Sequence, residues 1–158
     1  MIICDRSTFL LTKDQINYVN SNCYNIHPLL PHNRGYHPNF WSFYDHTPSG
    51  VTIHCIDTDI VTGKIIAQTE VYIDQKETLR SSYELLRDCS ISLFKIVYPL
   101  IRKGIDKDKL KINNNNIGKT NYKSDFDNVF KLLPKGWDTE ISFVSKLSKK
   151  TKLKRRND

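Results

Sequence analysis

Histidine and cysteine side chains crowd the stretch between residues 23 and 55: Cys23, His27, His32, His37, His46, His54 and Cys55. Zinc accepts such ligands, and the spacing C-x3-H-x4-H-x4-H in a Pro-rich loop would let one segment wrap an ion. The spacing matches no standard finger, however, and histidines beside Pro or Asn in a loop are expected to lie exposed, so neither a metal nor any other cofactor is expected. His54 and Cys55 cannot form a base and nucleophile pair, because neighbours on a strand point to opposite faces. Cys55 shares a face with Val51 and Ile53 and is expected to be a small core residue. Convergence of His27, His32, His37 or His54 in one pocket would instead point to an enzyme.

Two carboxylates, Asp57 and Asp59, flank a turn and with Asp45 and Glu70 form a candidate divalent-cation set, but no further ligand stands at a diagnostic spacing. A Gly-rich phosphate loop and a G-x-S-x-G elbow are both missing, so nucleotide hydrolysis and serine esterase chemistry have no local support. The aromatic run Phe40, Trp41, Phe43 and Tyr44, with Tyr72 further on, offers rings for a core or for stacking on unpaired bases. Tyr44 and Tyr72 are the two assigned to the stacking role.

Charge supplies the strongest functional signal. The chain of 158 residues carries a net charge of +7, yet residues 1–94 hold seven basic and ten acidic side chains. The excess lies in residues 95–123 and in the terminal segment 146–158. Arg102, Lys103, Lys107, Lys109, Lys111, Lys119 and Lys123 form one candidate phosphate-contacting set. Lys146, Lys149, Lys150, Lys152, Lys154, Arg155 and Arg156 form the other. These residues lead to the expectation of a non-enzymatic nucleic-acid-binding accessory protein, DNA or RNA undetermined, that binds without sequence preference. A self-associating matrix-like scaffold using its basic tail on anionic membrane or nucleoprotein is the alternative, with a homo-oligomer as a further expectation. Abundant Asn, Lys and Ile, including the Asn run at 113–116, fit an AT-rich source such as a virus or mobile element.

The elements expected to carry these residues form a single α+β domain over 1–145, followed by a disordered basic tail over 146–158. Thr12 is a candidate N-cap for a short helix at 13–21. Residues 22–39, punctuated by Pro28, Pro31, Gly35 and Pro38, read as a long loop. An antiparallel β-meander follows: a first strand from Phe40, a turn at 47–50, a second strand through 51–57 and a third through 64–74. Asp74 and Glu77 stand where a capping pair would open a long amphipathic helix. Its core stripe is Leu79, Tyr83, Leu86, Ser90, Leu93, Val97 and Leu100, widened by Leu85, Cys89 and Ile96. That helix either kinks at Pro99 or runs to Lys103 with Gly104 as terminator. Residues 105–125 read as a polar mobile connection, and 127–133 and 140–147 as two further short strands, giving an OB-like barrel or an open sheet. Asp5 and Arg6 interrupt the apolar run a signal peptide needs, and the cysteines are sparse. An intracellular protein is expected, cytoplasmic or nuclear, with a candidate nuclear-import signal at 149–156.

Overall fold

A computed structural model describes residues 1–7, 10–20, 22–28, 32–56, 63–106, 109–110 and 118–150. Strand β1 (Ile2–Asp5) leads to helix α1 (Lys13–Tyr18), which Thr12 opens as the sequence predicts. The Thr12 hydroxyl accepts the Gln15 amide while Gln15 accepts the Thr12 amide, pairing two donors that a helix start leaves open. Strands β2 (Cys23–Pro28) and β3 (Asn33–Gly35) follow, then helix α2 (Pro38–Asp45) and the hairpin β4 (Gly50–Cys55) and β5 (Ile65–Glu70). Helix α3 (Leu79–Lys103) precedes strand β6 (Lys119–Asn121), helix α4 (Lys123–Phe130), a 3-10 turn (Gly136–Asp138) and helix α5 (Ile141–Lys150).

The main sheet has the order β1-β2-β4-β5, with β1 parallel to β2 and the other pairs antiparallel. A parallel pair requires a crossover, here through α1, so this is a mixed α/β sheet and not the expected all-antiparallel meander or OB-like barrel. The β4–β5 hairpin is the predicted one, since alternation along 51–55 and 65–70 is the signature of strands packed on one face. The third antiparallel partner is β2 and not the aromatic run. Residues 40–45 are helical because Pro38 sits in the first turn with its φ already set for a helix. Phe40, Trp41, Phe43 and Tyr44 recur at the i, i+3, i+4 spacing that places a helix face against a core.

Further elements replace expected loops and strands. Pairing on both sides holds β2 from Cys23 to Ile26, and β4 alone carries His27 and Pro28, the latter at the strand end, where a missing amide is tolerated. Helices α4 and α5 occupy the segments read as strands at 127–133 and 140–147, each turning a buried pair inward: Phe126 with Val129, and Ile141 with Val144. Of the polar connection 105–125, residues 107–108 and 111–117 lie outside the described residues, while its end forms β6 and the start of α4. The tail begins as the last turns of α5, and residues 151–158 lie outside the described residues.

Helix α3 lies against β4 and β5. Its cap is Thr78, in a reciprocal pair with Ser81, and not Asp74, whose carboxylate accepts the Lys76 amide in the turn before the helix. Leu79, Leu86, Val97 and Ile101 join the core formed with Ile26, Val51 and Ile53, whereas the predicted stripe members Leu85, Ile96 and Leu100 face outward. The helix passes through Pro99 and ends at Lys103, with Gly104 at φ +88° as its terminator. Among the described residues no helix is long and apolar enough to cross a membrane. None of the four described cysteines forms a disulfide, and Cys55 is buried in the core as expected.

Candidate functional site

A cleft of about 300 Å³ opens where the parallel strands β1 and β2 end. Open sheets with parallel strands present their ligand sites at the carboxyl ends of those strands, because the chain diverges there and leaves a crevice. Arg6 and Ser7 line it just beyond β1, Asn25, His27 and Pro28 line it from β2, and Tyr36, His37, Phe40, Tyr83 and Trp137 form much of the remaining wall.

Strand periodicity builds the polar end. Asn25 and His27 are two residues apart and share one face of β2, and His54 on β4 lies directly opposite Asn25 in the register. Asn25 Nδ2 is 3.3 Å from His54 Nε2, and the rings of His27 and His54 stand edge to face at 6.2 Å. His27 Nδ1 donates to the Pro28 carbonyl at 2.9 Å, which leaves the lone pair of the neutral ring on Nε2. The partly exposed ring is hemmed in by protein, and this desolvation lowers its pKa to about 4 despite the opposing carbonyl bond. His27 is therefore neutral at physiological pH and able to accept a proton.

The opposite wall is aromatic. Strands β3 and β6 pair in parallel, and Gly35, at φ +82°, lies so close to β6 that a Cβ there would fall 2.3 Å from the Asn121 carbonyl oxygen. Buried Asn121 donates to Asn33 Oδ1, and the Tyr36 amide donates to the Asn121 carbonyl, which fixes the exit of β3. Tyr36 and His37 are thereby held against Phe126, with His37 also 5.1 Å from Trp137. His37 adopts a left-handed conformation at φ 50°, and burial lowers its pKa. Arg6 pairs with Asp5 at 2.6 Å and lies over the Tyr83 ring at the rim.

The histidines are thus divided, and His27 and His37, expected in a loop, are not simply exposed. His27, His37 and His54 gather at or beside one cleft, the condition under which an enzyme was expected, whereas His46 is exposed at the end of α2 and hydrogen-bonded to Ser148. Among the described residues no three of the His, Cys, Asp and Glu side chains are grouped to hold a metal ion. Asp57 and Asp59 lie outside the described residues, and Glu70 borders a different hollow, with Tyr72 and Ser145.

Among the described residues, none of the candidate nucleic-acid contacts lines the cleft. Arg102 and Lys103 are exposed at the end of α3, Lys109 pairs with Asp106, Lys119 is exposed on β6, Lys123 pairs with Asp127, and Lys146 is exposed on α5. Lys149 and Lys150 are in α5, while Lys107, Lys111, Lys152, Lys154, Arg155 and Arg156 lie outside the described residues. Tyr44 is buried on α2 and cannot stack on a base; Tyr72 is exposed. Asn25, Tyr36, Gly63 and Trp137 were not singled out from the sequence. The signal for Asn25 was its spacing of two from His27, which on a strand puts both side chains on one face.

This constellation, a neutral histidine and a primary amide on the end of a strand beside a parallel crevice, has relatives. A family model described as Formyl transferase matches residues 1–96, and the chain belongs to the formyl transferase family. The dTDP-4-amino-4,6-dideoxyglucose formyltransferase of Mycobacterium tuberculosis is 36% identical over 111 residues, covering 70% of this chain and 46% of that protein. The chain thus spans about half the length of the curated relatives it matches. Among solved structures, a formyltransferase of Anoxybacillus kamchatkensis, in complex with UDP-4,6-dideoxy-4-formamido-L-AltNAc and tetrahydrofolate, is 35% identical with a TM-score of 0.81. The match covers 91% of this chain and 75% of that one. A 4-N formyltransferase of Francisella tularensis is 29% identical with a TM-score of 0.72, over 98% of this chain and 62% of that one.

These relatives overturn the nucleic-acid-binding and viral readings, together with the scaffold alternative. Relatives with bound ligands hold sugar nucleotides and folates, not nucleic acid. The net charge misled because it is dominated by residues that do not line the cleft, such as Arg102, Lys103 and Lys146, or that lie outside the described ones.

Proposed function

We propose that the cleft is a formyl-transfer site in which the amine of an amino sugar, carried on a nucleoside diphosphate, receives a formyl group delivered by a tetrahydrofolate. The observation that carries this reading is the pairing of a histidine lone pair and an amide donor, His27 Nε2 and Asn25, on one strand face at the cleft, in a chain of this family.

Forming an amide from an amine makes two demands on a protein. The attacking nitrogen must lose a proton, and the formyl oxygen gathers negative charge as the new bond forms. His27 meets the first demand: its Nε2 is unprotonated at neutral pH and takes the proton as the nitrogen becomes cationic. Asn25 meets the second by directing an amide N–H toward the cleft, a fixed dipole that needs no reorganisation as charge develops.

The lining also fits the carrier. Tyr36, His37 and Trp137 present flat ring faces that would hold a pterin, and Asn25 and Asn39 supply hydrogen-bonding groups. When bound, the tetrahydrofolate supplies the formyl carbon in an activated form, attached to a nitrogen that can depart. Arg6, at the rim and always charged, suits the anionic end of either ligand.

Titrating labelled protein with 5-formyl-tetrahydrofolate and, separately, with a dTDP- or UDP-linked 4-amino sugar tests the reading. The expected result is perturbation of the Asn25 side-chain amide, the His27 ring and the Trp137 indole resonances. Ligand-induced changes confined to the α3 C-terminus or α5 would overturn the assignment of the cleft.

A further inference from the structure

We propose that His54 is a positioning residue that fixes which end of the Asn25 amide faces the cleft, an inference resting on the formyl-transfer reading above. His54 is buried, 4% exposed, and does not line the cleft itself. Its Nδ1 lies 2.8 Å from the Cys55 carbonyl oxygen. A carbonyl only accepts, so Nδ1 carries the proton and the neutral ring keeps its lone pair on Nε2. Nε2 in turn faces Asn25 Nδ2 at 3.3 Å, and a lone pair there takes a bond from the amide's NH2 end and not from its oxygen.

The amide group of asparagine has nearly the same shape either way round, so only its hydrogen-bond partners set its orientation. With His54 accepting from Nδ2, the remaining N–H is held on the side that opens to the cleft. Reversal would set the Asn25 oxygen against the His54 lone pair and change what the cleft sees. The donor that meets developing negative charge would be lost.

Gly63 provides an independent sign that this chain of contacts is built in. A Cβ at Gly63 would fall 1.6 Å from the Cys55 carbonyl oxygen and 3.2 Å from His54 Nδ1. The backbone at 63 therefore presses on the carbonyl that holds the His54 ring, and only a residue without a side chain fits. The Cys55 amide donates to the Lys64 carbonyl at 2.9 Å, clasping the same strand end from the other side. Position 63 thus supports the Cys55 carbonyl, the carbonyl selects the His54 tautomer, and the tautomer orients Asn25.

Two readouts test the inference. In the unmodified protein, nitrogen-15 spectra should show a protonated Nδ1 and an unprotonated Nε2 on His54, and one Asn25 side-chain amide proton displaced by its bond to the ring. His54→Leu should return that proton toward the position of an unbonded amide. It should also lower kcat by about 10–100-fold, the range typical when a residue orienting a site group is removed, with KM little changed. His54→Gln, which restores an acceptor near the Nε2 position, should recover much of both. An Nε2-protonated tautomer in the unmodified protein overturns the proposal without any variant having to fold. So does an unchanged Asn25 amide or kcat in His54→Leu while His27→Gln abolishes transfer. If transfer is unchanged in both variants, the formyl-transfer reading itself fails.

Discussion

Replacing His27 by Gln removes the one group in the cleft whose titration is moved far from its ordinary range, and the consequence for stability can be worked out. Burial lowers the His27 pKa from 6.5 to about 4 in the folded chain, while the unfolded chain keeps the ordinary value. Between those two values the unfolded state binds more protons, so stability falls as pH falls. Above the unfolded pKa both states are neutral and His27 contributes no slope. Below the folded pKa both are charged and the loss is complete. At about 1.36 kcal/mol per pH unit the full loss is roughly 3 kcal/mol. The lowered pKa of His37 acts in the same direction, but it is present in both proteins and cancels in their difference. Urea unfolding from about pH 7.5 to about pH 4 should therefore show the stability of the unmodified protein falling relative to His27→Gln by about 2–3 kcal/mol, with the change centred between the two pKa values. Parallel curves for the two proteins would refute the claim that His27 is held neutral by its surroundings.

Further expectations concern the scaffold. Leu86→Ala, which empties a buried site between α3 and the sheet, should cost about 2–5 kcal/mol in chemical unfolding, while Arg87→Ala, an exposed neighbour, should stay within about 0.5 kcal/mol. Pro99→Ala restores an amide inside α3 at an exposed position and should raise stability by about 1–2 kcal/mol in the same assay, after allowing for the looser unfolded chain.

The β4–β5 hairpin, the Thr12 cap and the core positions Leu79, Leu86 and Val97 were legible because each rests on local spacing that tertiary structure reinforced. Residues 40–45 were not, since an aromatic run satisfies strand preference as well as helical spacing, and the deciding feature was one proline at the helix start. β2 was hidden because Pro28 and Pro31 suggest a loop, although Pro28 stands only at the strand's end. The site itself depended on pairing: Asn25 and His54 are 29 residues apart and meet only because β2 and β4 are adjacent in this register. Basic side chains, by contrast, are conspicuous in any sequence and need no fold to be counted. They drew attention to α3, α5 and the terminal segment, and away from a nearly uncharged cleft.

The central claim is that His27 takes the proton from the amine during formyl transfer. Transfer from a formyl-tetrahydrofolate to a nucleotide-linked 4-amino sugar, followed by the appearance of the formamide, measures this directly in the unmodified chain and in His27→Gln. Transfer should fall by about 100-fold or more in the variant while binding of both compounds is retained, as expected when a positioned general base is removed. Transfer at an undiminished rate by His27→Gln would contradict the account.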